Sequence, residues 1–194
     1  ALFLDRDGVI NEEVGLLHRI DDFRLLPAVG KAIRKINDSD YLGIVVTNQP
    51  VIARNLCTID QLEEIHKKME TLLGRERAKL DAIYYCPHHP DRGYPEENPL
   101  YKIACECRKP GTGLIKQAEK DFNIDLDHSF IIGDSQRDII CGQNAHVTTI
   151  GVRTGTGCRD SAAAPDYLFE TLDEAVDFIT TTHPNKSLRK PDQL

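Results

Sequence analysis

Short apolar runs and amphipathic stretches alternate along this chain in a regular order. Leu2-Phe3-Leu4 is an apolar run that ends at once in Asp5 and, three residues on, Gly8. From Ala28 to Ile36 the apolar residues Ala28, Val29, Ala32, Ile33 and Ile36 recur at helical spacing. Leu42 to Thr47 is rich in β-branched residues, as expected of a strand buried on both faces. Thr58 with Gln61 three residues later has the form of a capping box, and predicts a helix reaching about Leu73.

The alternation continues to the end. Ala82 to Tyr85 is a third strand, and residues 87–104, with prolines at 87, 90, 95 and 99, form a loop. A helix from about Thr112 to Phe122 follows, then a strand at Phe130-Ile131-Ile132 and a helix from about Gln136 to Asn144. Val147 to Ile150 and Tyr167 to Phe169 are the last strands, and Leu172 to Ile179 the last helix. The pattern predicts an α/β fold, a parallel sheet with helices on both faces, in which ligands bind at the carboxyl ends of the strands. Residues 1–181 are expected to form one domain, and the polar stretch 182–194 a disordered tail.

Charge narrows the partners. The net charge of −7 argues against broad binding to nucleic acid or an anionic membrane, both of which favour a basic surface. A small anion held by a few local cations is compatible with it. No apolar run approaches the ~18 residues of a spanning helix. The first strand turns acidic too soon for a signal peptide, so the expected location is the cytoplasm.

Chemistry is concentrated at the strand ends. In Leu4-Asp5-Arg6-Asp7-Gly8 the two carboxylates, two residues apart on extended chain, can face one pocket. One can attack an electrophile while the other moves protons. Alone, this segment is also a common polar turn. Three further segments accompany it: Val46-Thr47-Asn48 with a hydroxyl and an amide, Arg108-Lys109-Pro110 with cations, and Gly133-Asp134-Ser135-Gln136-Arg137-Asp138 with carboxylates. Lys109 as a solvated surface lysine and Asp134 as a helix cap are the plain alternatives.

In order and character these segments resemble the four motifs of the haloacid dehalogenase superfamily, over Leu2 to about Thr154. The resemblance implies a three-layer Rossmann-like sheet and hydrolysis of a phosphate monoester. It implies Asp5 as nucleophile, Asp7 as general acid/base, and Thr47 and Lys109 as ligands of the transferring phosphoryl group. It also implies a Mg²⁺ site of Asp5, Asp7 through its backbone carbonyl, and Asp134, with Asp138 in support.

Cys86-Pro87-His88-His89 and Cys105-Glu106-Cys107 make a C-x-H…C-x-C array, three thiols and an imidazole that suit a structural zinc. His89 is an alternative to His88, and a disulfide or metal-free thiols remain open readings. Zinc there would pin the proline-rich loop and position Arg108 and Lys109. Cys57, Cys141 and Cys158 read as ordinary thiols.

The array, with L-D-R-D-G and T-N-Q…I-A-R, is similar to the histidinol-phosphatase-like branch of the superfamily, whose members act on heptose bisphosphates and on histidinol phosphate. This similarity implies a nearly capless monomer acting on a small phosphorylated metabolite, foremost a sugar bisphosphate. Arg54 and Arg108 would hold the phosphate that does not react, and Asn48 and Gln49 would reach sugar hydroxyls. Departures at Pro50-Val51, Asn55 and Gly111-Thr112-Gly113 fall in the substrate loops and leave the four motifs intact. A receiver-type signalling module would carry its phosphorylated aspartate on a later strand, and a non-catalytic zinc module has no use for all four motifs.

Overall fold

The computed structural model describes residues 1–91, 93, 97–159 and 163–183. Six parallel strands form one sheet: β1 (Leu2–Leu4), β2 (Gly43–Asn48), β3 (Ala82–Cys86), β4 (Phe130–Gly133), β5 (Thr148–Val152) and β6 (Tyr167–Phe169). Their spatial order is β3-β2-β1-β4-β5-β6, so the chain works outward from β1 twice, in opposite directions. Among the described residues four helices connect strands, α1 (Val29–Asn37), α2 (Ile59–Arg75), α3 (Gly113–Phe122) and α4 (Gln136–Asn144), and α5 (Leu172–Thr182) follows β6.

Strand periodicity distributes the apolar residues between two cores. Leu2, Leu4, Val45, Ile132 and Ile150 face α1, α2 and α5, meeting Ile33, Ile36, Ile65, Met69, Val176 and Ile179. Phe3, Ile44, Val46 and Ile131 face the other way, against Leu114, Ile115 and Ala118 of α3 and Cys141 of α4. Three layers result, as the alternating pattern predicts.

Element ends follow local chemistry. Thr58 and Gln61 form the expected reciprocal capping box of α2, worth about 1 kcal/mol. Ala28, expected inside the first helix, lies just before it with φ 61°, a left-handed conformation costly for a residue with a Cβ. β3 runs one residue past the predicted strand, so Cys86 closes it and pairs with Asn48. The helix read to Ile179 continues to Thr182, the first residue of the expected tail, and residues 184–194 lie outside the described residues.

Residues 5–28 and the described residues of 87–112 lie beyond the sheet at its carboxyl edge. Among their described residues the only helical turn is a single 3-10 turn at Ile20–Asp22. No helix of the described residues is long and apolar enough to cross a membrane.

Candidate active site

β1 is the point at which the strand order reverses, and its neighbours on either side are β2 and β4. A crevice opens there beyond the strand ends, where such sheets bind ligands. Asp5 follows β1, Thr47 and Asn48 end β2, and Asp134 follows β4, so three distant segments converge on it.

At the floor lies Lys109, 2% exposed, with its ammonium 3.0 Å from Asp5 Oδ1 and 2.5 Å from Asp138 Oδ1. Burial opposes its charge, but Asp138 and Asp5 outweigh burial and raise its pKa, so it remains a cation. Asp138 accepts from Lys109 on one oxygen and from the backbone amide and hydroxyl of Ser135 on the other. Burial works to raise its pKa, yet the charge of Lys109 and these bonds keep it below the usual range. Asp5 fares differently. Burial raises its carboxyl, the pull of Lys109 does not offset that, and Asp138, Asp134 and Asp7 push it further up.

Carboxylate oxygens of Asp5, Asp134 and Asp138 all lie within 4.8 Å of one another. Such a crowded set of hard oxygens, three carboxylates against the single cation of Lys109, fits a small divalent cation such as Mg²⁺. Asp138 belongs to the group but is committed to Lys109 and to a capping box with Ser135 at the start of α4. The cap of that helix is therefore Ser135, and Asp134 is left for other work.

Asp7 turns to a different set of partners. Its two oxygens accept from Arg6 Nη2 at 2.9 and 3.0 Å, from Asn11 Nδ2 at 2.9 Å and from Gln49 Nε2 at 2.8 Å. Burial alone would raise its pKa, but Arg6 and the amide donors hold the carboxyl below the ordinary range. Gln49 also donates to Thr47 Oγ1 at 3.0 Å.

The two amide residues read as sugar ligands have partners within the protein. Gln49, read as a sugar-hydroxyl ligand, is 1% exposed and its amide is engaged by Asp7 and Thr47. Asn48 reaches the crevice, but its side chain spans the backbone of Lys109, donating to its carbonyl at 3.0 Å and accepting from its amide at 2.9 Å. It holds the lysine in place from the neighbouring strand.

Arg54 and Arg108 line the same crevice above the acids, with Arg137 from the first turn of α4. Arg108 donates to the carbonyl of His88 at 3.1 Å, tying it to the Cys/His segment. In that segment Cys86, Cys105 and Cys107 place their sulfurs 3.1–3.5 Å apart, and His88 Nδ1 lies 3.3 Å from Cys107 Sγ. These separations exceed a disulfide bond of about 2.05 Å, and all six cysteines are free. His89 points elsewhere, 3.3 Å from Arg54. A closed S₃N set fits zinc. Burial raises the pKa of Cys86 above the usual thiol range, a cost that a bound cation removes.

Arg6 and Thr156 were not legible as site residues. Arg6 stands in sequence as a spacer between two acids, and the signal for it was charge complementarity with its neighbours. Thr156, in Thr154-Gly155-Thr156-Gly157 after β5, donates its amide to Asp134 Oδ2. Two glycines at a strand end were the available sign of a close backbone approach.

Acids and a buried lysine at the switch point of a parallel sheet are the marks of a haloacid-dehalogenase-like hydrolase, and a family model described as HAD-hydrolase-like matches residues 106–175. The chain is 38% identical to D-glycero-beta-D-manno-heptose-1,7-bisphosphate 7-phosphatase of Haemophilus ducreyi, over 92% of this chain and 97% of that one. It is 39% identical to D-glycero-D-manno-heptose-1,7-bisphosphate 7-phosphatase of Thermosynechococcus vestitus, over 93% and 95%. Among solved structures, D,D-heptose 1,7-bisphosphate phosphatase of B. bronchiseptica, complexed with magnesium and phosphate, superposes with a TM-score of 0.82 at 29% identity, covering 93% of this chain and 98% of that one. The chain belongs to this family of heptose bisphosphate phosphatases, and it is a phosphoric monoester hydrolase.

Proposed function

We propose that the protein removes the 7-phosphate of a D-glycero-D-manno-heptose 1,7-bisphosphate through an aspartyl-phosphate on Asp5. The observation that carries the reaction is the placement of Asp5 at the end of β1, 3.0 Å from the buried ammonium of Lys109. That cation offsets the repulsion between a carboxylate and an incoming phosphate. An oxygen of Asp5 attacks phosphorus, the bond to the sugar oxygen breaks, and Asp7, ionised in the free protein, passes to the leaving oxygen a proton that it takes up when the anionic substrate binds beside it. Water then attacks the phosphorus, Asp7 takes its proton, and Asp5 and inorganic phosphate separate.

Thr47, 1% exposed at the end of β2, donates its hydroxyl to the phosphoryl oxygens, and Lys109 pairs with them as charge builds. Mg²⁺ would be held by Asp5, Asp134 and the backbone carbonyl of Asp7, with Asp138 in support, and would supply positive charge against the phosphate. Cys86, His88, Cys105 and Cys107 would hold a structural Zn²⁺ that fixes the segment leading into Arg108 and Lys109. Three thiols kept available for metal suit the reducing cytoplasm.

The substrate rests on the names of the relatives and on the cations. Arg54 and Arg108 line the crevice beyond what the transferring phosphate requires, in a chain of net charge −7, and hold the 1-phosphate. The protein acts as a monomer, with residues 1–181 forming a single phosphatase domain.

The test is phosphate release with Mg²⁺ from both anomers of the heptose bisphosphate, fructose 1,6-bisphosphate and histidinol phosphate. Preference for a heptose anomer supports the assignment and fixes the anomer. Preference for histidinol phosphate would overturn the substrate and retain the chemistry.

A further inference from the structure

The loop that follows β5, residues 153–158, folds back over Asp134. The Thr156 amide donates to Asp134 Oδ2 at 2.6 Å, and its hydroxyl donates to the Asp134 carbonyl at 2.6 Å. The Cys158 amide donates to the same carbonyl at 2.6 Å. Backbone without side chains closes in on the carboxylate from both sides. A Cβ on Gly8 would lie 2.4 Å from Asp134 Oδ2, and one on Gly155 would lie 2.2 Å from that same oxygen. The Gly155 Cβ would also stand 2.6 Å from Gly8 Cα, so the two glycines pinch the carboxylate between them. Both have positive φ, 79° and 60°.

Oδ2 is therefore held, while Oδ1 receives no hydrogen bond among the described residues. Asp134 sits within 4.8 Å of the carboxylate oxygens of Asp5 and Asp138. Like charges at that distance repel, and an unconstrained aspartate would rotate away from them. The fit between two glycines removes that freedom.

We propose that Gly8, Gly155 and Thr156 form a slot that fixes the direction of the Asp134 carboxylate and thereby sets the site's affinity for a divalent cation. The proposal rests on the reading of Asp134 as a magnesium ligand. The three are positioning residues: each touches Asp134, and their effect reaches the cation through it. Side chains in the second layer of a metal site commonly carry ten- to a hundredfold in affinity, and a misdirected ligand has the same consequence.

Mn²⁺, which takes the same oxygen ligands, is titrated into the full-length, zinc-loaded protein, and the free ion is read by paramagnetic resonance. Gly155→Ala should weaken Mn²⁺ binding by about tenfold or more. Gly157→Ala is the control: it lies in the same loop with φ 72°, but its Cβ would meet the Arg153 carbonyl at 3.0 Å instead of Asp134. It should bind Mn²⁺ within about twofold of the wild type. Equal affinities of the two alanine variants, with zinc content and circular dichroism unchanged, would overturn the slot. Should Gly155→Ala not fold, Thr156 decides: Thr156→Val should weaken binding and Thr156→Ser should restore it, and equal affinities of that pair would sink the proposal. Asp134→Asn separates the two readings. If it binds Mn²⁺ as the wild type does, the assignment of the ligand fails, and if it alone loses binding, only the slot fails.

Discussion

Arg6 and Asp7, adjacent in sequence, form a forked ion pair at the floor of the crevice: the guanidinium has no exposed surface and gives Nη2 to both carboxylate oxygens, at 2.9 and 3.0 Å. Its other terminal nitrogen lies 3.2 Å from Nε2 of His66 on α2. The carboxylate proposed to move protons is thus anchored through one arginine to a helix behind the sheet. Removing Asp7 strands the buried charge of Arg6, at a cost of about 3–5 kcal/mol. Asp7→Asn should accordingly lose both turnover and stability, the second read by urea unfolding. An inactive Asp7→Asn protein of wild-type stability would contradict the pairing.

Asp5→Asn should behave in the opposite way. Burial and three neighbouring acids raise the pKa of Asp5, so its ionised form is a burden on the fold above the ordinary carboxylate range. Without added magnesium, at pH 8, the variant should be at least as stable as the wild type, by up to about 1 kcal/mol more. Its turnover should fall below detection, since the attacking oxygen is replaced by an amide. Turnover close to wild type would refute the nucleophile.

His66 gives the protein a pH dependence of known sign. Burial first, then the charge of Arg6, lower its pKa from 6.5 to about 3, so the folded protein keeps it neutral. The unfolded chain takes up a proton near 6.5 and the folded one does not, so stability is full above that pH and falls as pH drops towards 3. Between pH 7 and 5 this residue should cost about 2 kcal/mol. His66→Gln, which keeps an acceptor for Arg6, should reduce the loss between those pH values by that amount in urea unfolding. An unchanged pH profile would show that His66 titrates normally.

Zinc should matter for rate through geometry. Arg108 donates to the His88 carbonyl, and Lys109 follows Cys107 by two residues. Cys107→Ser should lose zinc, measured by atomic absorption, and lower turnover by about tenfold or more. Full activity in protein verified to be zinc-free would remove the positioning role.

Much of this was legible in the chain itself. Periodicity gave the strands and helices to within a few residues, because a buried parallel strand and an amphipathic helix leave distinct apolar spacings. The carboxylates, the lysine and the Cys/His array stood out because their chemistry is rare in combination and falls at strand ends. The resemblance implied that Asp5, Thr47, Lys109 and Asp134 share a site, but the strand order and the distances that bring them together came only from the packed sheet. So did the partners of the amides. Gln49 and Asn48 look free to bind sugar until folding places Asp7, Thr47 and the backbone of Lys109 beside them. The slot of Gly8 and Gly155 joins residues at opposite ends of the domain. Local sequence dictates which backbone and chemistry each segment can offer. Which groups end within 3 Å of one another is decided by packing across the sheet, where a hydrogen bond or a charge finds its partner irrespective of distance along the chain.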